Sequence, residues 1–395
     1  MRIARRNILK IACLPALPAC ITAARAQGAV RGVSSTEILL GSHQDLSGPV
    51  ASLGAPFRDG MLLAADEVNR QGGVHGRRIR VLVEDSGFDP KRAVLATQKL
   101  IRQDGIFAMV AALGSAPVQA SMPAMLAANV PVLFSGTPAD FTYLPFHRIK
   151  FGLSIPYGEQ VKAMVRYCVH NLQKKRIAIF YQDDETGHNV LRAAEEQTKA
   201  HGLALVERAS YKRGAIDFSS QVARLRAADA DMVLLGSIVR ETAGVRVEAK
   251  KQGWPVDMMV TNAGANPSVV AIGGDATEGL YAVTQFVPVN AQPMTPALAA
   301  VLEHYREMFG KPLEENMVYG YVAMMLFAEG ARLAGRALNV DTLVQGLEQV
   351  KNFTTAFQSV PVSFAPNERL GARSVIFMRV TGGKYTPISD PIPFD

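Results

Sequence analysis

Two short runs of small and hydroxyl-bearing residues are the clearest candidates for chemistry in this chain. Gly114-Ser115-Ala116 lies between an apolar run at 106–110 and a helical pattern at 117–128, and Ser135-Gly136-Thr137 follows the apolar run 130–134. Small residues let backbone N–H groups approach an anion, and a helix N-terminus favours negative charge. Ser135 and Thr137 add two hydroxyls. Such a set can hold an anion. Either tripeptide alone also reads as an ordinary turn. No H-E-x-x-H, G-x-S-x-G, Walker A or paired-cysteine spacing is present, and the seven histidines are dispersed. No enzymatic activity, metal or cofactor is therefore expected. Asp183-Asp184-Glu185-His188 reads as a solvated cleft-edge turn or as a cation site. His43 is read either as cleft-facing or as a satisfied loop residue, and Tyr157 either as a hinge or cleft-rim residue or as packing.

The elements that must position these residues alternate regularly. Strands are expected at 37–43, 79–84, 106–110 and 130–134. Helices are expected at 54–71, from Asp89-Pro90, and at 117–128. Phe57, Met61, Ala65 and Val68 give the first helix one apolar face, and Asp89 before Pro90 is an N-cap followed by Pro at the first helical position. The rhythm restarts with strands at 176–181, 203–208, 232–236 and 258–261 and helices at 187–200, 218–228 and 242–252. Two such βα series predict an α/β protein of two doubly wound Rossmann-like lobes. A strand at 280–286 precedes helices at 296–309, 319–335 and 341–350. Strands at 357–364 and 374–380 follow, so the chain is expected to return to the first lobe and end on the second. The expected division is 1–26, an export signal; 27–150 plus 283–355, the first lobe; and 151–282 plus 356–395, the second.

Residues 1–26 combine a basic start, an apolar run broken by Pro15 and Pro18, and the A-x-A-like Ala24-Arg25-Ala26. Arg5-Arg6-Asn7-Ile8-Leu9-Lys10 matches the twin-arginine pattern, and Leu17-Pro18-Ala19-Cys20 is a loose lipobox. The segment holds five basic and no acidic residues, so its removal takes the formal charge from +7 to +2. Neither that charge nor any basic stripe points to nucleic acid. Cys168 would then be the only thiol, apart from a lipid-anchored Cys20, and no intramolecular disulfide is expected.

The run 46–54 (LSGPVASLG), Asp59-Gly60, Asn69, Gly72-Gly73-Val74-His75-Gly76, Val83-Glu84-Asp85 and Asp89-Pro90 together resemble the start of the leucine/isoleucine/valine-binding protein family. Arg176-Ile177-Ala178-Ile179-Phe180, Asp217-Phe218-Ser219 with Arg224-Leu225, and Ala276-Thr277-Glu278-Gly279-Leu280 continue it in the family's order. The resemblance implies a type I periplasmic binding protein, with two lobes joined by three crossing strands and ligand in the cleft. It implies a monomer in the periplasm that serves an ABC permease, or in the alternative a membrane sensor of the same fold. A secreted enzyme is the third class. It also implies that Gly114, Ser115, Ala116, Ser135, Gly136 and Thr137 grip the ligand's carboxylate.

In the second lobe the sequence departs from the family's amino-acid pattern. Thr186 and Ile238 stand where aromatic residues are expected, Leu53 replaces another in the first lobe, and Ala263 stands where an acid would meet the ligand's ammonium. A buried ammonium without a partner is costly. Either another carboxylate takes that role or the ligand is an apolar or aromatic acid without an ammonium. A shift in alignment of a residue or two would bring Asn262 or Asn266 into the site instead.

Overall fold

The structure is a computed structural model that describes residues 30–357 and 359–394; the expected export signal, with Cys13 and Cys20, lies outside the described residues. The first βα series is β1 (Glu37–Gln44), α1 (Ala51–Arg70), β2 (Arg78–Asp85), α2 (Pro90–Arg102), β3 (Ala108–Val110), α3 (Ser115–Ala127), β4 (Val132–Leu133) and β5 (Lys150–Phe151). Its five strands form one parallel sheet in the order β2-β1-β3-β4-β5. β1 and β2 pair over their full length, Glu37 with Arg78 through Gln44 with Asp85. The Asp89 cap forms as expected, its side chain accepting from the N–H of Arg92.

The second series is α4 (Tyr157–His170), β6 (Ile177–Gln182), α5 (Glu185–Ala200), β7 (Arg208–Tyr211), α6 (Ser219–Ala227), β8 (Met232–Gly236), α7 (Val239–Lys251), β9 (Asp257–Val260), α8 (Pro267–Gly273) and β10 (Tyr281–Thr284). The chain then forms α9 (Pro296–Phe309), α10 (Met317–Leu333) and α11 (Val340–Gln349), and ends with β11 (Ser374–Thr381), β12 (Lys384–Pro387) and β13 (Ile392–Pro393). The main path of the second sheet runs β12-β11-β10-β9-β8-β6-β7. β6 to β10 are parallel, and the closing β11 and β12 are antiparallel. Residues of α9, α10 and α11 pack in the first core beside Ile38 and Leu40, whereas β11 packs in the second beside Phe180 and Leu234.

Three expectations shift. β7 starts at Arg208, later than the predicted 203–208, because the preceding residues meet β6 only through isolated bonds such as Val206 N–H to the Ile177 carbonyl at 2.9 Å. The stretch predicted as a strand at 357–364 forms single bridges, Phe286 with Ser359 and Phe353 with Val362. Helix α4 was not expected, although Val161, Val165 and Cys168 mark its buried face.

The chain passes between the two sheets at three places that lock to one another. Gly152 N–H donates to the Arg369 carbonyl (2.7 Å), and Gly371 N–H donates to the Gly152 carbonyl (2.9 Å). Ile155 N–H donates to Gln285 Oε1 (3.0 Å), and Val360 N–H to the Gln285 carbonyl (3.0 Å). One buried glutamine thus ties all three passages together.

Candidate functional site

In the first lobe the structure brings the two predicted loops into direct contact. Ala111 (φ 52°) and Phe134 (φ 56°) end β3 and β4 in the left-handed region, which breaks pairing and turns each chain sharply. Past these bends Leu113 bridges Gly136, and Gly136 N–H donates to the Ala112 carbonyl at 2.8 Å. Ser115 Oγ then lies 2.5 Å from Thr137 Oγ1. Gly114 (φ 95°) is the residue before α3 and supplies no side-chain cap. The first-turn N–H groups of Ser115 and Ala116 are left as donors, and Pro117 has none to offer. Ser115 is half-buried, Ala116 exposed, and Ser135 and Thr137 buried. The result is two N–H donors, two hydroxyls in contact and a helix dipole at one spot, with no cationic side chain among the described residues hydrogen-bonded to the set. That arrangement suits a carboxylate.

Neighbouring elements hold the cradle in place. The Tyr319 hydroxyl donates to the Ser135 carbonyl (2.7 Å) and accepts from Ser154 Oγ (2.8 Å). Its ring stacks on Phe57 at 4.9 Å. A Cβ on Gly136 would stand 2.7 Å from the Phe57 ring, and one on Gly114 would stand 2.5 Å from the ring of Phe88. Phe88 itself has φ 58°, a strained conformation for a bulky residue. The sequence reading missed Phe57, Phe88 and Tyr319 as walls of this site. An aromatic in a Gly-rich turn, such as Gly87-Phe88, is the one signal that pointed to Phe88. Leu53 lies half-buried in the first turn of α1. The loop before it is shaped by Asp45, which accepts from Val50 N–H (2.7 Å), and by Asp85. Burial works against the ionisation of Asp85, but bonds from Ser47 Oγ and the N–H groups of Leu46 and Gly87, with the Arg92 charge, bring it down to about 2. His43 does not face the cleft: it is fully buried, with Nε2 3.1 Å from Ser121 Oγ beneath α3.

In the second lobe, Thr186, Ile238 and Ala263 follow the carboxyl ends of β6, β8 and β9, three neighbouring parallel strands. In open parallel sheets this is where ligands bind. Thr186 and Ala263 are half-buried, and Ile238 is 47% exposed, an unusual state for isoleucine at a strand end. The acidic turn before Thr186 is engaged: Asp184 caps α5 through Gly187 N–H, and Asp183 pairs with His188 and Lys212. Asn262 is held by Gln160, accepting from its Nε2 (3.0 Å) and donating its N–H to its Oε1 (2.9 Å). Asn266 caps α8 and reaches Asn316 of α10 at 3.4 Å, which links the two lobes. Tyr157 begins α4, its N–H bound to the Pro138 carbonyl at 3.0 Å. Burial, and then the nearby Asp184 charge, push its phenol up to about 12. One residue of this region escaped the sequence reading. Glu241, in the first turn of α7, is 4% exposed, and its Oε2 has no hydrogen-bond partner. In the sequence an acid at that position reads as an ordinary complement to the helix dipole.

The comparisons with known proteins agree with this geometry. Among curated proteins, the chain is 30% identical over 325 residues to a Leu/Ile/Val-binding protein homolog 7 of Brucella suis biovar 1 (strain 1330), covering 78% of each. Among solved structures it superposes with a TM-score of 0.81 on a branched-chain amino acid ABC transporter protein from Thermus thermophilus with bound valine. That pair is 19% identical and covers 91% of this chain and 97% of the other. A fatty acid ABC transporter substrate-binding protein from Thermomonospora curvata gives a TM-score of 0.77 at 22% identity, covering 92% and 94%. The model of the periplasmic binding protein family matches residues 37–384. With a match of that extent and two lobes linked by three passages, the chain belongs to the periplasmic binding protein family, in its Leu/Ile/Val-binding branch.

Proposed function

We propose that the protein captures a small carboxylate-bearing ligand, an amino acid or an apolar or aromatic acid, and presents it to the permease of an ABC importer. Residues 27–150 with 283–355 form the first lobe in this reading, and 151–282 with 356–395 the second. The protein acts as an exported monomer in the periplasm, without catalysis. The observation that carries the reading is the 2.5 Å contact between Ser115 and Thr137 at the uncapped start of α3. Gly114, Ala116, Ser135 and Gly136 complete the carboxylate cradle, and Leu53, Thr186, Ile238 and Ala263 line the rest of the cleft. The structural relatives named for valine and for a fatty acid share the fold, and those two ligands have a carboxylate in common.

The test is a thermal-shift screen of amino acids, aliphatic acids, aromatic acids and their uncharged amides against the mature protein. A ligand at 100 times its Kd stabilises by about 2.7 kcal/mol, enough to raise Tm visibly. Carboxylates should register and their amides should not. Ser115→Ala with Thr137→Val should weaken the best carboxylate by about 10- to 100-fold, the worth of hydrogen bonds to a charged group. Equal shifts with acids and amides, or unchanged affinity in the double variant, would sink the carboxylate reading.

A further inference from the structure

Phe88 holds a conformation that its own residue type disfavours, and its neighbours fix it there. Its φ of 58° lies in the left-handed region, which a bulky side chain rarely adopts. The turn between β2 and α2 is tied down on both sides of it. Ser86 N–H (2.7 Å) and Ser86 Oγ (3.0 Å) both donate to the Gln44 carbonyl, and Gly87 N–H donates to Asp85 Oδ1 (2.9 Å). Asp89 N–H donates back to the Ser86 carbonyl (3.0 Å) while its side chain caps α2. Backbone strain persists only where the surroundings over-determine it, and it concentrates at binding sites.

The strained turn delivers the ring to one place. Cε2, Cδ2 and Cζ of Phe88 lie 2.5, 3.1 and 3.3 Å from where a Cβ on Gly114 would stand, so the ring fills the space of a missing side chain there. Gly114 immediately precedes the Ser115 and Ala116 N–H groups, at a helix start that no side chain caps. Both sides of the contact share an anchor. Gln44, whose carbonyl holds Ser86, donates through Nε2 to the Ala111 carbonyl (2.7 Å), at the bend that leads to Gly114. An apolar ring on this flank also keeps water from the peptide behind the donors, and hydrogen bonds to an anion strengthen as the local dielectric falls.

We propose that Phe88 is a positioning residue of the carboxylate cradle: its ring wedges Gly114 in place, so that the first-turn N–H groups of α3 stay fixed and dry for the anion. The inference rests on the carboxylate reading of the first lobe and deepens it. The left-handed strain at Phe88 is the cost of preorganising an uncapped helix start, and it is recovered as affinity for the carboxylate.

Calorimetry on the mature protein tests this with L-leucine, 4-methylpentanoate and 3-phenylpropanoate as probes. Phe88→Gly and Phe88→Asn delete the ring with residues that accept a left-handed backbone, so strain is relieved as packing is lost. Their ligand-free Tm should stay within a few degrees of wild type, while affinity for each probe that binds wild type falls about tenfold or more. Phe88→Leu keeps an apolar wedge on Gly114 and should restore most of that affinity, although it keeps the strain. A purely structural role predicts the opposite order, with affinity following Tm. The proposal is overturned by wild-type affinity in the Gly and Asn variants, by a Leu variant that binds no better than they do, or by affinity that falls only in step with Tm. Those outcomes leave the carboxylate reading standing. Failure of every probe to bind the wild-type protein defeats that reading and this inference with it.

Discussion

At the scale of single residues, the site is made by backbone bends whose side chains serve other ends. Ala111 and Phe134 adopt positive φ and are fully buried, so each gives up ideal backbone geometry to aim the loop after it. His43 shows the same economy beside the cradle. Ser121 Oγ donates to the Val118 carbonyl at 3.2 Å, so His43 Nε2 must donate to Ser121, and Nδ1 is left without a partner. Burial therefore lowers the imidazole from 6.5 to about 4. The folded state holds the ring neutral, and the unfolded chain protonates it first. Its contribution is fully present above about pH 6.5 and is lost as the pH falls toward 4, roughly 3 kcal/mol in all. Urea titrations of the mature protein between pH 7 and 4 should show that decline, and His43→Asn should flatten it. A variant with the wild-type slope would assign the acid sensitivity elsewhere. Of the ten cleft residues expected from the sequence, the six in the two loops after β3 and β4 are the ones the structure draws together. Their glycines and hydroxyls act through backbone position, which strand-and-helix order reveals. Phe88 left only the signal of an aromatic beside Gly87 and Glu241 left none, because a left-handed aromatic and an unpaired buried oxygen are properties of packing.

At the scale of elements, the cradle depends on how closely α1 and α10 approach. A Cβ on Gly60 would stand 2.0 Å from the Met317 carbonyl oxygen, and one on Gly320 would stand 2.0 Å from that of Phe57. The helices touch backbone to backbone, and that contact sets the stack of Phe57 on Tyr319 and hence the bond to the Ser135 carbonyl. Gly320→Ala should push the helices apart at a cost of about 1–3 kcal/mol, visible as a lower Tm. It should also weaken carboxylate binding, although the residue lies outside the cradle. Normal affinity in the destabilised variant would show that the cradle is set by its own loops. Most of these elements could be read in the sequence, because their apolar periodicity and caps are local. Helix α4 was missed despite its apolar face, since Tyr157 was read as a single hinge, rim or packing residue and not as the start of a helix. The third passage was read as a strand, yet it pairs by isolated bridges, and such pairing leaves no period in the sequence.

For the whole molecule the question is how two lobes, each with its own core, move as one machine. Gln285 joins the three passages, and the buried Arg369 fixes the third to the first lobe. Its guanidinium pairs with Glu348 at 2.7 Å and lies over Phe146 and Phe151 at 4.7 and 4.5 Å. Motion is thereby confined to bending across the passages. Among the described residues the side-chain hydrogen bonds Asn266 to Asn316 at 3.4 Å and Asn189 to Asp140 at 3.5 Å span the lobes away from them, and such long bonds constrain the opening weakly. A ligand closes such a cleft only through contacts that it makes better in the closed form. The first lobe docks the ligand by its carboxylate, and the second closes over the rest of it. Small-angle scattering at saturating ligand should then show a smaller radius of gyration than for the ligand-free protein. An unchanged radius with ligand demonstrably bound would rule out hinge closure for this protein.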